Sequence, residues 1–171
     1  MTDKPGLFDF AGRKAYNLQR WNDVSWDELA AFIGPNAHRF QKTWENYSAL
    51  LNGEKRALFS WCWPGFLFGF AWFFYRKQWL AGGVLLVIPI ILAMLSSSTA
   101  GMSGMAVAMG VVGKTIYLMT ANQRIHKLRE QRLSPTDYQR ALKKEGGVSV
   151  LGGIIGGTIV LLAILSIFAG R

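Results

Sequence analysis

Residues 79–113 read WLAGGVLLVIPIILAMLSSSTAGMSGMAVAMGVVG, a run without one Asp, Glu, Lys, Arg or His. An ionised side chain loses several kcal/mol on leaving water, so a charge-free run of this length is what a bilayer imposes. The polar, small-residue stretch Ser96–Gly101 divides it into two predicted spans. The first, about 79–95, is aliphatic and kinked at Pro89. The second, about 102–119, is rich in Gly, Ala and Met and runs on into a basic helix.

Outward from this run, two further stretches, 57–75 and 148–169, are also free of charge, and all ten carboxylates lie outside the three. Charged residues make up 17% of the chain, against about 25% in soluble proteins. The last stretch is an ordinary span, predicted over Val148–Ala169. The stretch before the first, LFSWCWPGFLFGFAWFFYRKQW at 58–79, is different, because half of its residues are aromatic. Trp and Tyr favour the headgroup interface over the bilayer centre, and Pro64-Gly65 is expected to break a helix. A re-entrant or interfacial helical hairpin over 57–78 follows. Trp61, Trp63, Trp72, Tyr75, Arg76, Lys77 and Trp79 are expected at the interface, with the basic pair snorkelling toward phosphates.

The remainder is amphipathic. Residues 1–24 mix aromatics and charges without a period and read as an arm that docks on the rest of the chain or on a partner, with no apolar signal segment. Ser25-Trp26-Asp27-Glu28 is a capping box opening a helix that stops at Gly34-Pro35. A second helix, about 36–51, spaces Phe40, Trp44, Tyr47 and Leu51 as one apolar stripe ending at Asn52-Gly53. Residues 25–56 thus form a helical segment. Ser134-Pro135 opens a third short helix that ends at Gly146-Gly147. The expected fold is an all-α membrane protein in six parts: arm 1–24, helices 25–56, aromatic hairpin 57–78, transmembrane hairpin 79–119, basic loop 120–147 and glycine-rich span 148–171.

The net charge of +9 gives the orientation. Residues 1–58 are nearly balanced, whereas 114–147 hold eight basic and three acidic groups. Cytoplasmic loops carry the excess of Lys and Arg, which puts the N-terminus and residues 114–147 inside and predicts three crossings. The alternative is four, with the aromatic stretch crossing as well.

Phe32-Ile33-Gly34, Tyr47, Phe59-Ser60-Trp61-Cys62-Trp63-Pro64-Gly65-Phe66 and Trp72-Phe73-Phe74-Tyr75-Arg76-Lys77 resemble a bacterial family of small membrane proteins carrying a domain of unknown function. Its pattern is an FxG stretch, an aromatic W-x-W run and W-x-x-Y-R-K. Gly65 stands where that family more often has alanine, and Gln78 where methionine is common. Gly113–Arg129, with Tyr117 and Asn122, resembles its basic exit helix. The likeness covers about residues 25–130. It implies a multi-pass protein of the bacterial inner membrane and no particular activity.

No catalytic or metal-binding residue is expected, and no cofactor. His38 and His126 have no His or Cys partner at metal-ligand spacing, and Cys62 between two tryptophans reads as a small hydrophobe. The spans hold no carboxylate to carry protons. Nucleic acid is not an expected partner, since no stacking platform accompanies the charge. Two kinds of surface remain. Arg124, Lys127, Arg129 and Arg132 are expected to meet anionic lipid headgroups. Small residues at Ala100, Gly104 and Ala108, and at Gly152, Gly153, Gly156 and Gly157, allow close helix packing, within the chain, in a homo-oligomer or against another membrane protein. The expected function is a non-catalytic accessory or scaffold subunit of a membrane complex. The competing expectation is a small oligomeric pore or lipid-handling protein.

Overall fold

The computed structural model describes residues 19–54, 60–95 and 100–169. Most of the arm, Arg171 and residues 96–99 of the turn expected at Ser96–Gly101 lie outside the described residues, while Ala100 and Gly101 are already helical. All regular structure within them is helical. The helices are α1 (Trp26–Ile33), α2 (His38–Leu51), α3 (Trp63–Phe68), α4 (Phe70–Tyr75), α5 (Trp79–Leu95), α6 (Ala100–Glu130), α7 (Pro135–Glu145) and α8 (Val150–Ala169). They fall into two compact units, Met1–Leu58 with Leu118–Glu145, and Phe59–Tyr117 with Gly146–Arg171. The border expected at 119/120 lies inside α6, which is uninterrupted there.

In the first unit, local chemistry sets the helix ends. The Ser25 hydroxyl accepts from the Glu28 amide at 3.3 Å while the Ser25 amide donates to the Glu28 carboxylate at 3.2 Å, so α1 starts on a complete capping box. It stops at Gly34, whose φ of +87° and ψ of −155° suit glycine almost alone. Replacing Gly34 with alanine is expected to destabilise this unit by about 1 to 2 kcal/mol. Its Cβ would meet nothing within 4 Å, so a melt unchanged in Gly34→Ala would show that backbone conformation has no role there. Ser134 caps α7 by accepting from the Asp137 amide at 3.2 Å.

The core of this unit is made by Leu29, Phe32 and Ile33 of α1, Phe40 and Thr43 of α2, Leu118, Ala121, Ile125 and Leu128 of α6, and Leu142 of α7, all buried. Trp26 and Trp44 pack with ring centroids 5.5 Å apart. The last residues of the arm pack on this unit. Trp21 and Val24 are buried, and the Trp21 indole donates to the Ser48 hydroxyl at 2.7 Å and stands edge-on to Tyr47. The end of the arm is therefore core, because an apolar indole with one satisfied N–H gains by burial.

In the second unit, the aromatic stretch forms α3 and α4. The break expected at Pro64-Gly65 lies instead at Gly69, with φ +49° and ψ −121°. Pro64 sits in the first turn of α3, where its missing N–H leaves no hydrogen bond unmade. Ala71, Trp72, Phe73 and Phe74 of α4 are buried, and α5 and α8 both pack on α4. Two helical stretches, within Gly104–Glu130 and Pro135–Ala163, are long and apolar enough to cross a membrane by length and composition. The latter draws its apolar residues from α8. A shorter apolar helix starts at Trp79 and contains Pro89.

Candidate functional site

Three places hold the residues that the sequence singles out. The first is the contact of α8 with α4. The Ser149 amide donates to the Tyr75 carbonyl at 2.7 Å, and the Ser149 hydroxyl accepts from the Gly152 amide at 3.0 Å, anchoring the start of α8. A Cβ on Gly152 would run into the carbonyl group of Phe74, and one on Gly156 would lie 2.7 Å from Ala71 Cα. These two glycines let one backbone lie directly on the other. Gly153 lies against the Tyr75 ring, and Gly157 has nothing within 4 Å. On α6 the small residues divide in the same way. Gly104 faces open space and Ala108 is exposed, while the side chain of Ala100 is outside the description. The close approach falls on Gly110 instead. Its carbonyl accepts from the Cys62 amide at 2.7 Å, and the Trp61 ring covers it.

The second place is the end of the aromatic segment. Trp63 is 64% exposed, and Trp61, Tyr75 and Trp79 are also exposed, but Trp72 is buried against the Tyr117 ring at 6.0 Å. Arg76 and Lys77, the pair expected to reach toward phosphates, both make contacts within the protein. Arg76 is only 7% exposed, with its guanidinium 5.1 Å from the centroid of the Tyr117 ring, a cation on a negative π-face. Lys77 takes a left-handed φ of +58°, and its ammonium donates to the Gly146 carbonyl at 2.7 Å. Both cations are thus drawn onto protein groups.

The third place is the basic part of the first unit. A cavity of about 330 Å³ lies between α6 and α7, lined by Arg124, Lys127, Leu128, Gln131, Ala141, Lys144 and Glu145. Of the four cations expected to meet headgroups, it gathers Arg124 and Lys127. Arg129 is engaged elsewhere, through a bidentate pair with Glu28 whose Nε–H donates at 3.1 Å. The Tyr138 hydroxyl donates to the same carboxylate at 2.8 Å. Burial pushes the Glu28 carboxyl up, but the bonds from Arg129, Tyr138 and the Ser25 backbone outweigh it and hold it below the ordinary value of 4.5. Burial and the Glu28 contact together raise the Tyr138 phenol. Arg132 is exposed at φ +50° in the turn between α6 and α7. The His126 Nε2 donates at 2.6 Å to the Arg20 carbonyl. Because a carbonyl only accepts, its Nε2 carries the proton.

A family model described as "Protein of unknown function (DUF2628)" matches residues 13–132. The chain belongs to that family. No curated protein and no solved structure matches it. The DUF2628 match begins at 13 rather than at 25, and so takes in the buried Trp21 and Val24. It includes α1 to α6, hence Arg76, Lys77, Tyr117, Arg124 and Lys127, and ends before α7 and α8. Lys144 in the cavity, Tyr138 on Glu28 and the glycines of α8 therefore lie outside the DUF2628 region. Sequence reasoning missed Gly110 and the Glu28–Arg129–Tyr138 cluster. The partners of Glu28 are 101 and 110 residues away, and no local pattern marks such a pairing.

Proposed function

We propose that this chain is a non-catalytic integral membrane protein, an accessory or scaffold subunit of a larger complex in the bacterial inner membrane. The observation that carries this reading is the unequal distribution of exposed apolar side chains. Among the described residues, Leu50, Met119 and Leu133 are the exposed large hydrophobics of the first unit. The second unit exposes Leu80 at 84%, Trp63, Leu67, Ile90, Ile154, Leu162 and many others. Soluble monomers rarely expose so many large apolar side chains together, while lipid tails or a partner's helices accommodate them. Three crossings, by α5, the apolar part of α6 and α8, with the N-terminus and residues 114–147 in the cytoplasm, suit the excess of Lys and Arg there. The aromatic segment then lies at the interface, where tryptophan is at home.

Gly104, Ala108 and Gly157 support the accessory role. Among the described residues nothing covers these three small residues, which suits close approach of another membrane helix. The test is extraction of the tagged full chain from its native membrane in mild detergent, with quantitative mass spectrometry of what co-purifies. One stoichiometric membrane complex is expected, lost in Gly157→Leu. Recovery of the chain alone, as a defined homo-oligomer with bound lipid, would replace this reading with that of a pore or lipid-handling protein.

A further inference from the structure

We infer that residues 60–77 lie within one leaflet without crossing the bilayer, and that α3 presents a lipid-binding face, Trp61, Trp63, Leu67 and Phe68, to the headgroup and glycerol region. It rests on the membrane reading above and adds the depth of the segment and the occupant of its exposed face. Lys114 and Gly146 mark one side of the membrane. The chain from one to the other carries eight basic and three acidic groups, and no charge-free stretch in it approaches the roughly 20 residues that a crossing needs. Both ends of the aromatic segment are tied to that side. At its start the Lys114 ammonium donates to the Ser60 hydroxyl at 3.0 Å. At its end the Ser149 amide donates to the Tyr75 carbonyl at 2.7 Å, and the Lys77 ammonium to the Gly146 carbonyl at 2.7 Å. Between these ties the contacts descend and return. Cys62 bonds to Gly110, and Gly65 lies against the Met109 carbonyl, one turn before Lys114 on α6. Ala71 meets Gly156, two turns past Ser149, and Phe74 meets Gly152, one turn past it. At about 1.5 Å per residue, the deepest contact is roughly 10 Å in, short of the middle of a hydrocarbon core about 30 Å thick.

The exposed face of α3 has the composition that this depth selects. Trp63, Leu67 and Phe68 are each more than half exposed, and Trp61 stands beside them partly exposed. Among the described residues, α5 beyond Trp79 and α8 expose aliphatic side chains instead, such as Leu80, Ile90, Ile154 and Leu162. Aliphatic groups suit the lipid tails. An indole suits the interface, where its ring leaves water while its N–H still meets carbonyl or phosphate oxygens. A second membrane helix would select small residues for close approach, and this face offers two indoles, a leucine and a phenylalanine. The other limb takes no part, because Ala71, Trp72, Phe73 and Phe74 of α4 are buried in protein. Lipid is therefore the occupant of the α3 face.

The experiment measures depth by spin labelling of the full chain in vesicles of equal parts phosphatidylcholine and phosphatidylglycerol. One label at a time is placed by Leu67→Cys, Phe68→Cys, Leu162→Cys or Arg140→Cys, all at exposed positions. Cys62 is buried and stays in place, with the unsubstituted chain as the blank. Collision with oxygen and with a water-soluble nickel complex reports how deep each label sits. Labels at 67 and 68 are expected no more than about 10 Å below the phosphates, shallower than the label at 162 and shielded from nickel relative to the one at 140. Labels at 67 and 68 as deep as that at 162 would overturn the inference in favour of a crossing segment. Nickel contact equal to that at 140 would overturn it as well, since the face then stands in water. Exclusion of both reagents would overturn the lipid occupant in favour of protein, a partner or a second copy. A label at 162 that meets nickel as freely as the one at 140 would instead remove the membrane reading itself, which keeps the two failures distinct.

Discussion

Replacing Gly152 with leucine is expected to detach the start of α8 from α4 and to lower the stability of that unit by about 2 to 4 kcal/mol. The position has no room even for a methyl group, because the obstacle is the Phe74 carbonyl group and, 3.1 Å away, the Trp79 ring. A flexible side chain can move aside, but the backbone of a packed helix cannot. The same substitution at Gly157 meets nothing within 4 Å and is expected to change the melt by less than about 0.5 kcal/mol. The comparison separates two uses of glycine five residues apart on one helix. Gly152→Leu should fail in thermal melts of the detergent-solubilised chain, whereas Gly157→Leu should melt normally and lose only what docks on its flank. Equal melting of the two variants would refute the backbone contact.

The second large effect is expected at Glu28. Its carboxylate joins α1 to Arg129 on α6 and Tyr138 on α7, and charge-assisted bonds in a partly buried site are the strong kind. Glu28→Gln removes the charge but keeps the shape, and is expected to cost about 1 to 2 kcal/mol at neutral pH. The folded carboxyl titrates below its ordinary value of 4.5. The unfolded chain therefore binds the proton first as pH falls. The contribution of Glu28 is complete above 4.5 and disappears as pH drops through the folded pKa. The gap between wild type and Glu28→Gln should close over that acidic range. On the alkaline side the phenol of Tyr138 is raised above 10.0, so its neutral, donating form persists across neutral pH. Hydrogen exchange of α1 and α7 amides measures this locally. A gap that stays constant from neutral to acidic pH would show that the carboxylate charge is not what holds these helices.

How much of this is legible in the sequence depends on range. Ser25 with Glu28, and Ser134 with Asp137, are three residues apart, and such a hydroxyl caps a helix whatever the rest of the chain does. Gly34 ends α1 for a reason confined to its own backbone. The aromatic segment is a local case with two candidates, Pro64-Gly65 and Gly69. Proline breaks a helix only from inside it, and the register that places Pro64 in a first turn is set by the elements around it. Arg129 shows the limit of charge counting. It belongs to the basic run that reads as a lipid-facing surface, yet a carboxylate 101 residues earlier takes it.

The sequence by itself determined a helical chain, the charge-free segments, the helix caps and the concentration of positive charge at 114–147, because each depends on the transfer energy of single side chains or on bonds within one turn. It also determined that the last helix carries two overlapping GxxxG pairs, Gly152 with Gly156 and Gly153 with Gly157. Only the tertiary structure decided that Gly152 and Gly156 receive α4 while Gly157 stays open. It likewise decided that Arg76 turns onto Tyr117, and that Arg124, Lys127 and Lys144 meet around one cavity. Those outcomes depend on how helices distant in sequence pack, and spacing along the chain, identical for both GxxxG pairs, carries no information about that choice.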